Sequence, residues 1–158
     1  MADRLESLLS DLDTKEGAIW LMDTSGEHLI PVFNSSPTLQ SLVGVYRQPL
    51  NRGIISMVLA TQSAVIERDV HKNPLHDNSV DRQLGIITVH MMAAPLYFAG
   101  ESRGVISVVR LKPSEADEVG DLPPFEDHHL ESLKESARNF GRWLDECLLD
   151  FTRGSSAP

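Results

Sequence analysis

The sequence predicts a single α+β domain, because two pairs of apolar segments joined by short Gly-containing turns lie between a helical leucine stripe at the start and a longer apolar seam at the end. At 158 residues the chain has the size of one ordinary domain and encloses a hydrophobic core without staples. With 41% apolar and 23% charged residues it matches neither a disordered tail nor a membrane protein.

Leu5, Leu8, Leu9 and Leu12 recur at helical spacing in a charged segment, which predicts an opening amphipathic helix. Gly17 ends that region. Ala18 to Met22 reads as a buried strand that turns at Asp23-Thr24-Ser25-Gly26 into a second strand, Glu27 to Phe33. Ser36 before Pro37 is a helix-start signal and Gly44 a stop, so a short helix is expected between them. Val45 to Leu50 is extended. After Gly53, the residues Ile54, Ile55, Val58 and Leu59 share one helical face ending near Gln62, and a strand follows from Ala64 to Arg68.

Asp69 to Asn78 is rich in His, Asp, Asn and Pro, the composition of an irregular loop, and Val80, Leu84 and Ile87 then suggest one or two helical turns. Thr88 to Phe98 and Arg103 to Leu111 are long apolar runs around Ala99-Gly100-Glu101-Ser102, a tight-turn composition, and this hairpin is expected at the centre of the sheet. Lys112 to Pro124 reads as a solvated connection. From Phe125 to about Phe151, Leu130, Leu133, Ala137, Phe140, Leu144, Cys147 and Phe151 repeat at intervals of three and four, the seam of a two-helix packing. Glu126 and Asp127 sit in its first turn and suit the helix dipole. One domain over 1–152, with its core at about 17–149, and a flexible tail at 153–158 is the expected organisation.

The formal net charge is −9, so nucleic acid and anionic lipid are repelled by the overall field, and Lys and Arg are scattered singly along the sequence without a basic patch. The longest uncharged apolar run, Met91 to Ala99, is too short to span a bilayer, and the N-terminus lacks a signal-peptide pattern. A single cysteine, Cys147, excludes an intrachain disulfide and fits a reducing compartment, so cytoplasm is the expected address.

The order helix, two strands, helix, strand, loop with helix, two strands, long helix resembles the GAF domain family, and local motifs follow the same order. Leu50-Asn51-Arg52-Gly53-Ile54-Ile55-Ser56 is similar to the family's glycine-isoleucine start of its middle helix. Val65 to Pro74 is similar to its I-x-D-V-x-x-D-P motif, with Asn73 where aspartate is common. Pro95-Leu96-Tyr97-Phe98-Ala99-Gly100-Glu101 followed by Gly104-Val105 resembles its P-L-x-x-x-G-E-x-x-G-V hairpin, and Phe125, Asp127 and Leu130 resemble the start of its final helix. The resemblance spans roughly Gly17 to Leu149. It implies a central antiparallel sheet with the N- and C-terminal helices on one face and short helices and loops over a small-molecule pocket on the other. By position it implies candidate pocket residues: Ile66, Asp69 and Val70 at the loop, Asp81 and Leu84 on the short helix, and Thr88, His90 and Met92 on the strand. The last three share parity and so are expected on one side of the sheet.

Little in the sequence points to catalysis or to a cofactor. A nucleophile elbow, a P-loop and a dinucleotide fingerprint are missing. His90 in an apolar strand reads first as a satisfied core histidine, with a ligand contact or haem ligation as the alternative. His71, His76, Asp77 and Asp81 carry metal-ligating groups at no standard spacing and read as a polar loop. His129 and Cys147 on one helix are about 27 Å apart, too far for one metal. Cys147 reads as a packing or dimer contact, since neighbouring Asp145 and Glu146 oppose a thiolate. The family's free methionine sulfoxide reductases rely on a set of cysteines that this chain lacks. The expectation is therefore a non-catalytic regulatory domain that binds an unidentified small molecule or a partner without a resident cofactor or metal. Its signal passes through the terminal helices of a homodimer to an output domain or signalling protein. The alternative is a dimerisation or docking scaffold whose pocket is filled.

Overall fold

A computed structural model describes residues 2–114 and 122–154. The elements run α1 (Ala2–Asp11), β1 (Glu16–Met22), β2 (His28–Asn34), β3 (Gln48–Pro49), α2 (Ile54–Thr61), β4 (Val65–Glu67), α3 (Ser79–Leu84), β5 (Ile86–Phe98), β6 (Glu101–Pro113) and α4 (Asp127–Gly154). The strands form one antiparallel sheet in the order β3-β2-β1-β6-β5-β4. Of the long hairpin, β6 lies beside β1 at the centre and β5 lies one place outward.

Strand alternation divides the apolar residues between two faces. Ile19, Met92, Ala94, Leu96, Ile106 and Val108 pack with Leu5, Leu8, Leu9 and Leu12 of α1 and with Leu133, Ala137 and Phe140 of α4. On the other face, Leu29, Ala93 and Val105 pack with Ile55, Val58 and Leu59 of α2. The terminal helices thus share one face and the short elements cover the other. Phe125, fully buried just before α4, plugs the helix-side core and stacks under the Arg110 guanidinium, 4.7 Å from its ring centre.

Three expectations change. Between Ser36 and Gly44 there is only a 3-10 turn at Gln40–Leu42, because the Ser36 side chain is buried and caps nothing while its amide donates to Asn34 Oδ1. The connection expected from Lys112 begins later, since β6 continues to Pro113, paired with Ile86; residues 115–121 of that expectation lie outside the described residues. The seam of the last helix is not a free two-helix surface over its first half, because Leu133, Ala137 and Phe140 are spent against the sheet.

Candidate functional site

A cavity of about 90 Å³ lies between the sheet and its cover of short elements. Its sheet side presents Ala18 and Trp20 of β1 with Ser107, Val109 and Leu111 of β6, and its cover presents Leu39, Leu42, Tyr46, Ile54, Ile55 and Val80. Trp20 and Tyr46 meet edge to face with ring centres 6.3 Å apart. The Trp20 Nε1 group donates to Ser107 Oγ at 3.0 Å, which leaves the Ser107 hydroxyl proton available to an acceptor.

Two carboxylates organise the cover. Asp81 of α3 accepts from the Thr88 amide at 2.8 Å and from the Thr88 hydroxyl at 2.9 Å, and His76 Nε2 stands 3.1 Å from it. Burial pushes the Asp81 carboxyl up, and the bonds from His76 and Thr88 outweigh it, holding the group below its ordinary value. Asp77 accepts from the Ser79 amide and from Gln48 Nε2 at 3.3 Å, and forms an ion pair with Arg52, whose Nε lies 3.0 Å away. Its burial also pushes upward and is outweighed by Ser79, Gln48 and Arg52. Gln48 in turn receives the Tyr46 hydroxyl at 3.0 Å.

Gly53 explains the glycine-isoleucine signal. Its φ of 87° favours glycine, and a Cβ there would stand 2.9 Å from Gln48 Nε2, inside the network that closes the cavity.

Of the eight candidate residues, the structure brings Asp81 and Thr88 to the cavity wall. Leu84 is half-buried on α3 without lining it, Val70 is fully buried against β5, and Asp69 is exposed beside Lys72. Ile66 and Met92 pack into the helix-side core, and His90 turns its Nε2 to the Leu122 carbonyl at 3.0 Å. The shared parity of Thr88, His90 and Met92 fails because the β5–β6 register shifts between Thr88 and His90. The bulge at Val89 adds one residue and moves everything after it to the opposite face. Of the polar loop, His76 joins Asp81 and Asp77 joins Gln48 and Arg52, so these side chains bond within the cover.

Trp20, Tyr46, Gln48 and Ser107 were missed as wall residues. Parity along β1 marks Trp20 as opposite to Ile19, but the strand reads as buried on both faces, so the sequence does not say which face holds a cavity. Tyr46 and Gln48 come from a segment with no periodic signal. Although Lys and Arg are scattered singly along the sequence, α4 gathers Lys134, Arg138 and Arg142, with Asp145, along a single groove away from the cavity.

Comparison with known proteins agrees with this geometry. The GAF domain family model matches residues 2–142. Among solved structures, the GAF domain of a phosphoenolpyruvate-protein phosphotransferase from Coxiella burnetii superposes with TM-score 0.74 at 14% identity, covering 92% of this chain and 80% of that one. A GAF domain/HD domain protein from Geobacter sulfurreducens gives 0.73 at 12%, covering 94% and 91%. A free methionine-R-sulfoxide reductase from Neisseria meningitidis, solved with its substrate, gives 0.66 at 19%, covering 89% and 73%. None of the curated proteins compared matches the chain.

Proposed function

The chain belongs to the GAF domain family, and on that premise we propose that it is a non-catalytic sensory domain that takes a small ligand into the cavity beside Trp20. The observation that carries this reading is the cavity itself, about 90 Å³ walled by an aromatic pair and closed by side chains from loop segments. At about 30 Å³ of liquid volume for each water, the space holds on the order of three waters, or a ligand of similar size. A nucleotide does not fit without opening the cover.

Two neighbours in the fold bear on catalysis, because they are free methionine-R-sulfoxide reductases. The single cysteine here is exposed on α4, on the face opposite the cavity, so no thiol reaches a bound ligand. That supports binding without turnover. Other neighbours come from a histidine kinase and a chemotaxis protein, contexts in which a domain of this kind feeds an output. The route offered by the fold is direct: β5 and β6 contribute alternate side chains to the cavity side and to α1 and α4.

A thermal-shift screen against amino acids, small carboxylates, amines and cyclic nucleotides tests the reading. A ligand that raises the unfolding midpoint in proportion to log concentration, and whose effect is lost in Tyr46→Ala, supports it. One observation favours a second reading, a scaffold without a ligand: the polar wall groups largely satisfy one another. A blank screen on a protein that sediments as a stable dimer selects that reading.

A further inference from the structure

We propose that the groove between α4 and the open end of β5 is a docking site for an extended acidic segment of a protein partner. The groove has a volume of about 650 Å³ and lies on the helix side of the sheet, apart from the cavity. Its floor is made of small apolar groups, Ala94, Pro95 and Ala137, over which a backbone can lie closely. β4 pairs with β5 only over Met91 to Ala93, so past Ala93 no strand among the described residues lies on that flank of β5.

The wall supplies charge. Lys134, Arg138 and Arg142 follow one another at four-residue intervals on α4, so successive cations rise by about 6 Å. Alternate residues of an extended chain are about 6.6 Å apart on one side, so a segment with acids at every second position meets the three cations in register. Arg138 has no ion pair among the described residues. Lys134 pairs only with exposed Glu131, an arrangement of small net value that a partner's carboxylate replaces readily. The one carboxylate of the groove, Asp145, is occupied by the Ala99 amide at 2.7 Å.

Charge also chooses between partners. In a chain of net charge −9, three cations match a segment of about three acids, whereas a polyphosphate strand runs past the groove into a repelling field. Single-stranded nucleic acid binding also relies on a series of aromatic stacking platforms, and the described groove lining offers one aromatic, Tyr97.

The test is fluorescence anisotropy with a labelled nine-residue peptide alternating glutamate and valine, longer than the four to five extended residues that match the roughly 12 Å between Lys134 and Arg142. Saturable binding that weakens as salt is raised, and that falls at least about tenfold in Arg138→Glu/Arg142→Glu, is expected. The control Arg82→Glu/Arg153→Glu makes the same charge change elsewhere and retains binding, and both variants keep the wild-type unfolding midpoint. No binding up to about 1 mM peptide, or equal loss in both variants, overturns the proposal. Tighter binding of oligothymidylate through the same arginines also overturns it, and assigns the groove to nucleic acid.

Discussion

Asp81 joins the cover of the cavity to the sheet, since one carboxylate holds both the amide and the hydroxyl of Thr88 across a buried contact. Replacing it with alanine leaves two buried donors unpartnered, a loss of about 2–6 kcal/mol at roughly 1–3 per group. For a domain of this length, at roughly 2–4 °C per kcal/mol, the unfolding midpoint falls by about 4–24 °C, readable by calorimetry. The pH dependence follows from the depressed carboxyl. A group whose folded value lies below its unfolded value of 3.8 contributes stability that is fully present above that value and is lost as pH falls through the folded one. Asp81→Asn removes that titration, so the gap between wild type and variant in urea unfolding is full at neutral pH and narrows progressively as pH falls below 3.8. A gap of the same size at pH 3 excludes the charge as the stabilising feature. At this scale the sequence was half legible. Asp81 and Thr88 were found from the motif order, but the bulge at Val89 that sends His90 and Met92 to the other face leaves no mark in an apolar run where every residue suits either side.

Elements were more legible than residues, because period and turn chemistry act over several positions at once. The β5–β6 turn shows why: Ala99 and Gly100 both have positive φ, 51° and 78°, as a tight two-residue hairpin turn requires, and a Gly beside a polar pair after a long apolar run announces it. The segment from Ser36 to Gly44 was misread, because a cap signal means nothing when the serine is drawn into the core. Helix α4 depends on a position that periodicity does not reveal. A Cβ on Gly141 would overlap the Tyr97 carbonyl, so the helix approaches β5 this closely only with glycine there. Glycine is otherwise a poor helix residue, costing about 1 kcal/mol against alanine. Gly141→Ala therefore reverses the usual ranking: the helix gains propensity, yet overpacking against the strand costs about 1–3 kcal/mol, so the domain loses stability in denaturant titration. A variant more stable than wild type would show that the helix lifts off the strand freely.

At the scale of the whole molecule, one apolar pattern had two possible uses, and sequence does not separate them. A homodimer through the terminal helices would draw on the leucine stripe of α1 and the seam of α4, yet Leu5, Leu8, Leu9, Leu12, Leu133, Ala137 and Phe140 are all buried in the chain's own core. A helix lying on a sheet needs an apolar stripe at the same three-and-four spacing as a helix paired with another helix. What the sheet does not consume is the last stretch of α4, from Glu146 to Gly154, beyond Leu144 on the core and Asp145 on the Ala99 amide, which at about 1.5 Å per residue projects about 12 Å. Leu148, Leu149 and Phe151 are exposed there, Phe151 to 74%. Homodimerisation, if it uses α4, therefore rests on that projecting end and leaves the folded core intact. Sedimentation equilibrium is expected to report a dimer that Leu148→Glu/Phe151→Glu converts to monomer, whose unfolding midpoint no longer depends on protein concentration and lies below the dimer's by the lost association term. A monomer at every wild-type concentration removes the dimer from the mechanism. The ligand's effect would then have to reach an output through α4 of a single chain.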